Sequence, residues 1–179
     1  AGGDVTCLAR DPARLVAPAN GRAPRVVSGD LGNVEALASA MQGCDVVLHL
    51  AASTGKATAA AHQRANREGT RTLIAAAKQA GVRRLIYVST IAAGFPDQRF
   101  YPYAASKAAA EVAVRESGLD WTIIRPTIVL GPGSPIGAAF AKLAGGPAVI
   151  LFGNGKARVQ PIDVGDLASV LVAVLDSSA

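Results

Sequence analysis

Residues 85–124 decide the fold, and they read LIYVSTIAAGFPDQRFYPYAASKAAAEVAVRESGLDWTII. Residues 85–89 and 121–124 are short apolar runs rich in strand-forming side chains. Between them, residues 103–116 carry a helical pattern that Gly118 stops. Strands joined through a helix cannot pair as a hairpin, so this stretch predicts a parallel β-α-β unit with a right-handed crossover.

The same alternation of strand and helix patterns precedes this unit. Strands are predicted at residues 5–9, 25–28 and 45–50, and helices at 34–41 and 59–79, with a glycine shortly after each helix. Strands that are almost continuously apolar are typically buried on both faces. The pattern therefore predicts an α/β fold of Rossmann-like type, a doubly wound parallel sheet with helices on both sides.

The regular alternation of strand and helix patterns ends in the last third of the sequence. A turn-rich loop at 131–135 is followed by a short helix near 137–143, apolar runs at 148–152 and 158–162, and a final helix from Asp166. We expect residues 131–179 to form a small lobe packed over the sheet, within one compact unit with residues 1–130.

Composition excludes several classes of protein. A chain of 179 residues with 50% hydrophobic and 17% charged residues can bury the core of one globular domain. The net charge is +5, but the arginines are scattered and aromatic residues make up only 4%, so nucleic-acid binding is not indicated. No apolar run reaches the ~20 residues of a membrane helix, and no secretory signal is visible. We expect a cytoplasmic protein without a membrane or nucleic-acid partner.

The cysteines and histidines predict no metal site. Cys7 and Cys44 lie in apolar surroundings without paired spacing, which predicts buried free thiols in a reducing compartment. His49 and His62 have no second ligand at metal-binding spacing. His49 falls in an apolar strand, so we expect it to be a hydrogen-bonded core residue.

Four segments carry a resemblance to a known family. They are Leu48-His49-Leu50-Ala51-Ala52, Asn66-Arg67-Glu68-Gly69-Thr70, Tyr103-Ala104-Ala105-Ser106-Lys107 and Arg125-Pro126-Thr127. In their order and spacing they resemble the short-chain dehydrogenase/reductase superfamily, in its extended and atypical branches of NAD-dependent epimerases and dehydratases. The resemblance covers nearly the whole chain. It implies that residues 1–130 form an NAD(P)-binding domain and that residues 131–179 form a lobe on the substrate side.

The catalytic assignment starts from Tyr103 and Lys107. Residues four apart on a helix share a face, so the phenol and the ammonium can point into one cleft. A free tyrosine titrates near pH ~10, and a nearby cation is expected to lower that pKa. The resemblance implies an acid/base role for Tyr103, with Lys107 also holding the nicotinamide ribose. It further implies that the hydroxyl of Thr90, or alternatively Ser89, holds the substrate oxygen, and that Asn66 supports the site.

The choice of cofactor depends on the second strand of the dinucleotide-binding sheet. Here that strand runs into Arg10, which suits the 2′-phosphate of NADP, although Asp11 leaves NAD open. Asp30 and Leu31 match the family's adenine-contacting pair, and Asp30 is also a candidate N-cap for the helix at 34–41. The resemblance adds further cofactor-binding residues besides Tyr103 and Lys107: Leu50, Ala51, Ala52, Pro126, Thr127 and Ile128.

The first residues contain no Gly-rich phosphate-binding turn. In a dinucleotide-binding sheet the first strand feeds such a turn at a helix N-terminus. Residues 1–4 instead resemble the end of a preceding helix that leads into a second strand. We therefore expect a domain that lacks its first strand and Gly-rich turn, which would weaken cofactor binding. The alternative is that Gly2 and Gly3 belong to an added segment.

These features predict an NAD(P)-dependent oxidoreductase, or an epimerase or dehydratase, acting on a small hydroxyl or carbonyl substrate by hydride transfer. A sugar nucleotide is disfavoured because the interval from Thr90 to Tyr103 is short and Arg158 is out of register with the family's phosphate-binding arginine. Residues 153–162 look more like atypical members related to an accessory subunit of respiratory complex I. The alternative is therefore a non-catalytic NAD(P)-binding structural or sensing protein. The helices of Tyr103 and Asn66 often form dimers in this family, so a homodimer is possible.

Overall fold

The computed structural model describes residues 3–16, 21–146 and 159–177. It divides into two units, Ala1–Arg125 and Pro126–Ala179. The predicted apolar run at 148–152 and the residues 153–158, Arg158 included, lie outside the described residues.

The first unit alternates strands and helices as the sequence predicts. Its strands are β1 (Thr6–Ala9), β2 (Arg25–Ser28), β3 (Val46–His49), β4 (Arg84–Val88) and β5 (Asp120–Ile124). Its helices are α1 (Val34–Met41), α2 (Ala59–His62), α3 (Gly69–Gln79) and α4 (Pro102–Arg115), with a π-helical segment at Gln63–Glu68 and 3₁₀ turns at Pro12–Arg14 and Ile91–Gly94. All pairings are parallel: β1 with β2, and β3, β4 and β5 in that order. The predicted Rossmann-like α/β class is confirmed.

Local sequence signals set the ends of these helices. Gly43, Gly81 and Gly118 adopt φ of 74°, 77° and 75°, a backbone region that glycine tolerates best, and each follows a helix. Asp30, the candidate N-cap of α1, is not the cap. Its Oδ1 accepts from Gly32 N at 2.8 Å in a tight turn, and Asn33 caps the helix by accepting from Ala36 N at 2.8 Å.

The core of this unit lies where α1, α3 and α4 pack around β4. Its buried side chains include Leu37, Leu73, Leu85, Tyr87 and Val114. Burial on both faces, which the sequence predicts for the apolar strands, holds for β4 but is wrong for β5, whose Trp121 is 40% exposed. The difference arises because β4 is the central strand of its sheet, whereas β5 has a neighbour on one side only among the described residues.

The second unit contains two short strands and two helices. The strands β6 (Val129–Leu130) and β7 (Ile162–Asp163) pair in parallel, and the helices are α5 (Pro135–Ala144) and α6 (Val164–Asp176). Asp163 caps α6 by accepting from Gly165 N at 2.7 Å, which is why the helix begins two residues before the predicted Asp166. No helix in the described ranges is long and apolar enough to span a membrane.

Candidate functional site

The candidate site is built on the carboxyl ends of β3 and β4. These strands are adjacent and parallel, with His49 opposite Tyr87, so the segments that follow them leave the same edge of the sheet. In doubly wound folds ligands bind at this edge. The segment after β3 contains Leu50, Ala51 and Ala52, and the segment after β4 starts with Ser89 and Thr90, all of which the sequence selects as site residues.

Asn66 ties the segment after β3 to helix α4. Its side chain is buried, and its Oδ1 accepts from Ser53 N at 2.7 Å while its Nδ2 donates to Ser53 O at 3.0 Å and to Ser106 Oγ at 2.9 Å. Ser106 Oγ in turn donates to the carbonyl of Tyr103 at 2.7 Å. The side chain of Asn66 thus holds the segment after β3 against the first turn of α4.

The helix that carries Asn66 widens at that residue. Gln63–Glu68 is π-helical, and Gly69 N bonds to Arg64 O five residues earlier. Such π-helical insertions are uncommon and are frequent at functional sites. The carbonyl of Asn66 accepts from Thr70 Oγ1 at 2.5 Å, and Thr70 Oγ1 contacts His49 Nε2 at 2.9 Å. Because the Thr70 hydroxyl donates to Asn66, it accepts from His49, which places the imidazole proton on Nε2.

His49 is the hydrogen-bonded core residue that the sequence predicts. It is 2% exposed and its ring lies 5.2 Å from that of Tyr87. Burial, and then the positive charge of Lys107, lower the pKa of His49 to about 3. The imidazole is therefore neutral at physiological pH and serves as a structural group beside the site.

Lys107 is almost fully buried, at 1% exposure. Its Nζ donates to Val88 O at 2.7 Å, at the end of β4, and lies 4.1 Å above the centre of the Tyr87 ring. Burial lowers the pKa of Lys107 to about 8, and the negative charge of Glu111 opposes that shift. The helix position of Lys107 thus places a cation at the edge of the sheet where the strand-end segments begin.

Tyr103 is half-buried at the first turn of α4. Its ring lies 5.7 Å from the ring of His62, edge to face, and 6.0 Å from that of Tyr101. Burial, and then the neighbouring Tyr101, raise the pKa of Tyr103. The expectation that Lys107 lowers this pKa is wrong for the structure, because the ammonium is engaged by the Val88 carbonyl and the Tyr87 ring.

Ser89 and Thr90 occupy different environments. The Thr90 hydroxyl accepts from Ala92 N at 3.3 Å and caps the 3₁₀ turn Ile91–Gly94, which leaves its O–H free to donate. Ser89 is buried against Glu111, and its Oγ makes no hydrogen bond of normal length with the described residues. Thr90 therefore keeps an O–H donor that is accessible, whereas the hydroxyl of Ser89 is buried.

Two buried residues of this region escape the sequence analysis. Glu111, one turn beyond Lys107, binds Arg125 and Arg115, and the i,i+4 spacing of Tyr103, Lys107 and Glu111 was the signal that could have found it. His62 is 3% exposed, and its Nδ1 donates to Ser53 O at 3.2 Å while its ring packs beside Tyr103. No sequence signal marks His62 as a neighbour of Tyr103.

Comparison with known proteins agrees with this geometry. A family model described as NAD(P)H-binding matches residues 1–178. The chain belongs to this NAD(P)H-binding family. The dTDP-glucose 4,6-dehydratase DesIV of Streptomyces venezuelae, solved with NAD bound, has a similar fold, with a TM-score of 0.79 and 28% identity over 99% of this chain and 64% of that one. The short-chain dehydrogenase/reductase membership that the four sequence segments predict is confirmed.

Curated relatives of this NAD(P)H-binding chain are reductases. A ceramide reductase of Caulobacter vibrioides is 38% identical over 83% of this chain and 46% of its own length. A (4-alkanoyl-5-oxo-2,5-dihydrofuran-3-yl)methyl phosphate reductase of Streptomyces griseus is 33% identical over 97% of this chain and 55% of its own. The chain spans about half the length of these curated relatives.

Several residues that the resemblance assigns to the site are accessible at the strand ends or lie next to glycines. Leu50 is 57% exposed and Ala51 is also exposed, at the end of β3. The buried Ser89 lies at the end of the next strand. Leu31 packs over Gly69, where an added Cβ would be 2.9 Å from the Leu31 side chain. The part of these residues in binding a dinucleotide stays a prediction.

The remaining predicted cofactor residues follow β1 or belong to the second unit. Arg10 is exposed after β1 and makes no ion pair with a described residue. Pro126, Thr127 and Ile128 belong to the second unit, in which the Thr127 hydroxyl donates to Gln160 O. Their part in binding the cofactor stays a prediction.

No metal-binding group appears in the part of the chain that the structure describes. There, no three His, Cys, Asp or Glu side chains come together as a possible metal site. Cys7 and Cys44 are free thiols, as predicted, but both are half-buried rather than buried because β1 and the end of α1 lie near the surface.

Proposed function

We propose that the protein is an NAD(P)H-dependent reductase that converts a ketone of a small molecule to an alcohol, with Tyr103 and Lys107 as its catalytic pair. The observation that carries the proposal is the attachment of α4 to both strand ends. Asn66 links the segment after β3 to the turn of Tyr103, and Lys107 binds the last carbonyl of β4. The two side chains are thereby held at the edge where a dinucleotide is expected.

Each residue has a defined part in the reaction. A reduced nicotinamide supplies, when bound, a hydride for the carbonyl carbon. Tyr103 donates its phenolic proton to the carbonyl oxygen, and the O–H of Thr90 holds that oxygen in place. The Lys107 ammonium would bind the nicotinamide ribose and so hold the cofactor beside Tyr103. Protonation from solvent then restores Tyr103.

The direction of reduction is supported by the named relatives, which are reductases. Burial raises the pKa of Tyr103, so the phenol holds the proton that the reaction needs near pH ~7.

The substrate that fits best carries an apolar chain beside its ketone. Phe95, Phe100 and Tyr101, which lead into the catalytic helix, are 47%, 91% and 45% exposed, and the ring of Tyr101 lies next to Tyr103. Arg99 of the same segment pairs with Asp97 at 2.8 Å, so its guanidinium is already engaged by a carboxylate. The names of both curated relatives denote compounds with alkyl chains.

For the cofactor we propose NADPH over NADH. The Asp11 carboxylate accepts from Ala13 N at 3.2 Å and caps the turn after β1. Arg10 makes no ion pair with a described residue, so its guanidinium is available to bind a 2′-phosphate. A homodimer through the helices of Asn66 and Tyr103 stays a prediction.

The experiment is the substitution Tyr103→Phe in the full-length protein, assayed with NADPH and ethyl 3-oxoalkanoates of increasing chain length. We expect cofactor binding to persist and kcat to fall about 100-fold or more, because the proton donor is lost. Tyr101→Phe, which alters a neighbouring tyrosine, should retain most of the turnover. If Tyr103→Phe turns over like the wild type, the proposal is wrong; NADPH binding without turnover in the wild type would identify the non-catalytic role.

Cofactor choice has its own test. Arg10→Ala should weaken NADPH binding about 10- to 100-fold and leave NADH nearly unchanged, because only NADPH carries the phosphate that Arg10 would bind. Arg83→Ala, at the opposite end of the strands, serves as a control for net charge. Equal losses for both cofactors would contradict the NADPH assignment.

A further inference from the structure

Glu111 is a buried carboxylate one helical turn beyond Lys107. Its side chain is 1% exposed. Oε1 accepts from Arg125 Nε at 2.8 Å, and Oε2 accepts from Arg125 Nη2 at 2.6 Å and from Arg115 Nη2 at 2.8 Å. Arg125 is the residue directly after β5, so this two-pronged ion pair fastens the middle of α4 to the end of β5.

A structural link between α4 and β5 does not by itself require a buried charge. Taking a carboxylate out of water is costly, and buried ion pairs can often be replaced by apolar side chains without loss of stability. The presence of the charge is therefore better explained by what surrounds it. Lys107 lies one turn earlier on the same face of α4, and both side chains are buried there, with the Ser89 hydroxyl beside the carboxylate.

Among the described residues, Glu111 is the negatively charged group that acts on Lys107. Val88 offers a neutral carbonyl and Tyr87 an aromatic face. His49 on β3 is neutral, and Asp120 on β5 lies at the far end of its strand, paired with Arg84.

The other charged or titratable groups near α4 have other partners or face away from Lys107. Glu68 on the π-helical segment is exposed and pairs with Arg67 and Arg71, and Arg64 lies on the same segment. The rest are His62 beside Tyr103, Arg125 and Arg115 on the Glu111 carboxylate, and Lys78 on the outer side of α3.

We propose that Glu111 is a positioning residue for the catalytic pair: it anchors α4 to Arg125 and supplies the negative charge that keeps Lys107 an ammonium in its buried site. The role in catalysis rests on the proposed function of Tyr103 and Lys107. The electrostatic part does not, because it concerns the proton on Lys107 in the resting protein.

The charge of Glu111 opposes the effect of burial on Lys107. Burial alone favours the neutral amine, and Glu111 raises the pKa of Lys107 against it. Glu111→Gln keeps the shape of the side chain and one oxygen for Arg125, but it removes the negative charge. Lys107 should then lose its proton at a lower pH. In an active enzyme the alkaline limb of the profile of kcat/KM against pH should move in the same direction.

The titration of Lys107 can be measured without turnover. The sequence contains five lysines, so the ¹³Cε resonances of lysine-labelled protein are few enough to follow by NMR, and Lys107→Arg identifies the relevant one. We expect Glu111→Gln to lower the midpoint of the Lys107 titration by about one pH unit or more. Arg115→Met is the matched control, because it removes a hydrogen bond from the same carboxylate and leaves the charge. It should leave the midpoint unchanged or raise it.

The outcomes separate the two proposals. An unchanged Lys107 midpoint in Glu111→Gln, or an equal downward shift in Arg115→Met, would overturn the role of Glu111 whatever the enzyme does. Absence of turnover in the wild type would overturn the proposed function and leave the titration result standing. If Glu111→Gln does not fold, the double variant Glu111→Gln/Arg125→Gln removes both charges of the pair. A downward shift is expected there too, but a smaller one, because Glu111 acts on Lys107 while the loss of the Arg125 charge raises the midpoint.

Discussion

Replacing Lys107 by methionine should stabilise the folded protein near neutral pH. The ammonium is 1% exposed, and burial lowers its pKa from 10.5 to about 8. A difference of about 2.5 units at about 1.4 kcal/mol per unit corresponds to about 3 kcal/mol, the free energy by which the charged form disfavours folding. Methionine has a similar length without the charge. The gain should be about 2 to 3 kcal/mol, because the contacts with the Val88 carbonyl and the Tyr87 ring are lost.

The dependence on pH distinguishes this cause from better packing. Between about pH 8 and pH 10.5 the unfolded chain holds its lysine proton while the folded protein releases it, so the stability of the wild type rises with pH in that window. Above the pKa of the unfolded chain, near 10.5, Lys107 no longer lowers the stability. As the pH falls through the pKa of the folded protein, about 8, the full destabilisation by the buried ammonium returns. The methionine variant lacks this rise. The stability difference between the two proteins should therefore be largest near pH ~7 and shrink towards pH ~10.

Urea unfolding at several pH values measures the effect. The free energies of unfolding of wild type and Lys107→Met are extrapolated to water at each pH. Lys78→Met, on the exposed side of α3, is the control for removal of a lysine charge and should change stability by less than about 0.5 kcal/mol. A Lys107→Met protein that is less stable near pH ~7, or whose advantage is the same at pH ~10, would refute the reasoning. In that case the ammonium would not be destabilised by its surroundings.

Two further substitutions test the supports of the site. Asn66→Leu should lower the free energy of unfolding by about 2 to 4 kcal/mol in urea, because it leaves the Ser53 amide unpaired and the Ser106 contact unmade; a loss below about 0.5 kcal/mol would contradict this. Gly69→Ala should lower the melting temperature although alanine favours helices, because its Cβ would lie 2.9 Å from Leu31, an overlap that costs about 1 to 3 kcal/mol. A melting temperature at or above that of the wild type would show that Leu31 can move aside.

Much of the fold could be predicted from the sequence because its signals are local. Apolar runs of strand length and helical periodicity place α1 and β2 at their observed bounds and the other predicted strands and helices of the first unit within a few residues. The strand β6 was not predicted. Glycines that need a positive φ end the helices. The spacing of Tyr103 and Lys107 also guarantees that they share a face of α4, since that follows from helix geometry alone.

Only the tertiary structure decided how these residues are used. Asn66 reaches Ser53 and Ser106, which are 13 and 40 residues away, and the π-helical turn that carries it has no signature in the sequence. The ammonium of Lys107 donates to the last carbonyl of β4 instead of lowering the pKa of Tyr103. Glu111 forms an ion pair with Arg125, which is 14 residues away in the sequence. Hydrogen bonds between distant segments and the shift of a pKa by burial depend on which groups the fold encloses together. A local sequence pattern contains information on neither of these effects. The sequence therefore determined the elements and their order, and the packing determined the chemistry of the site.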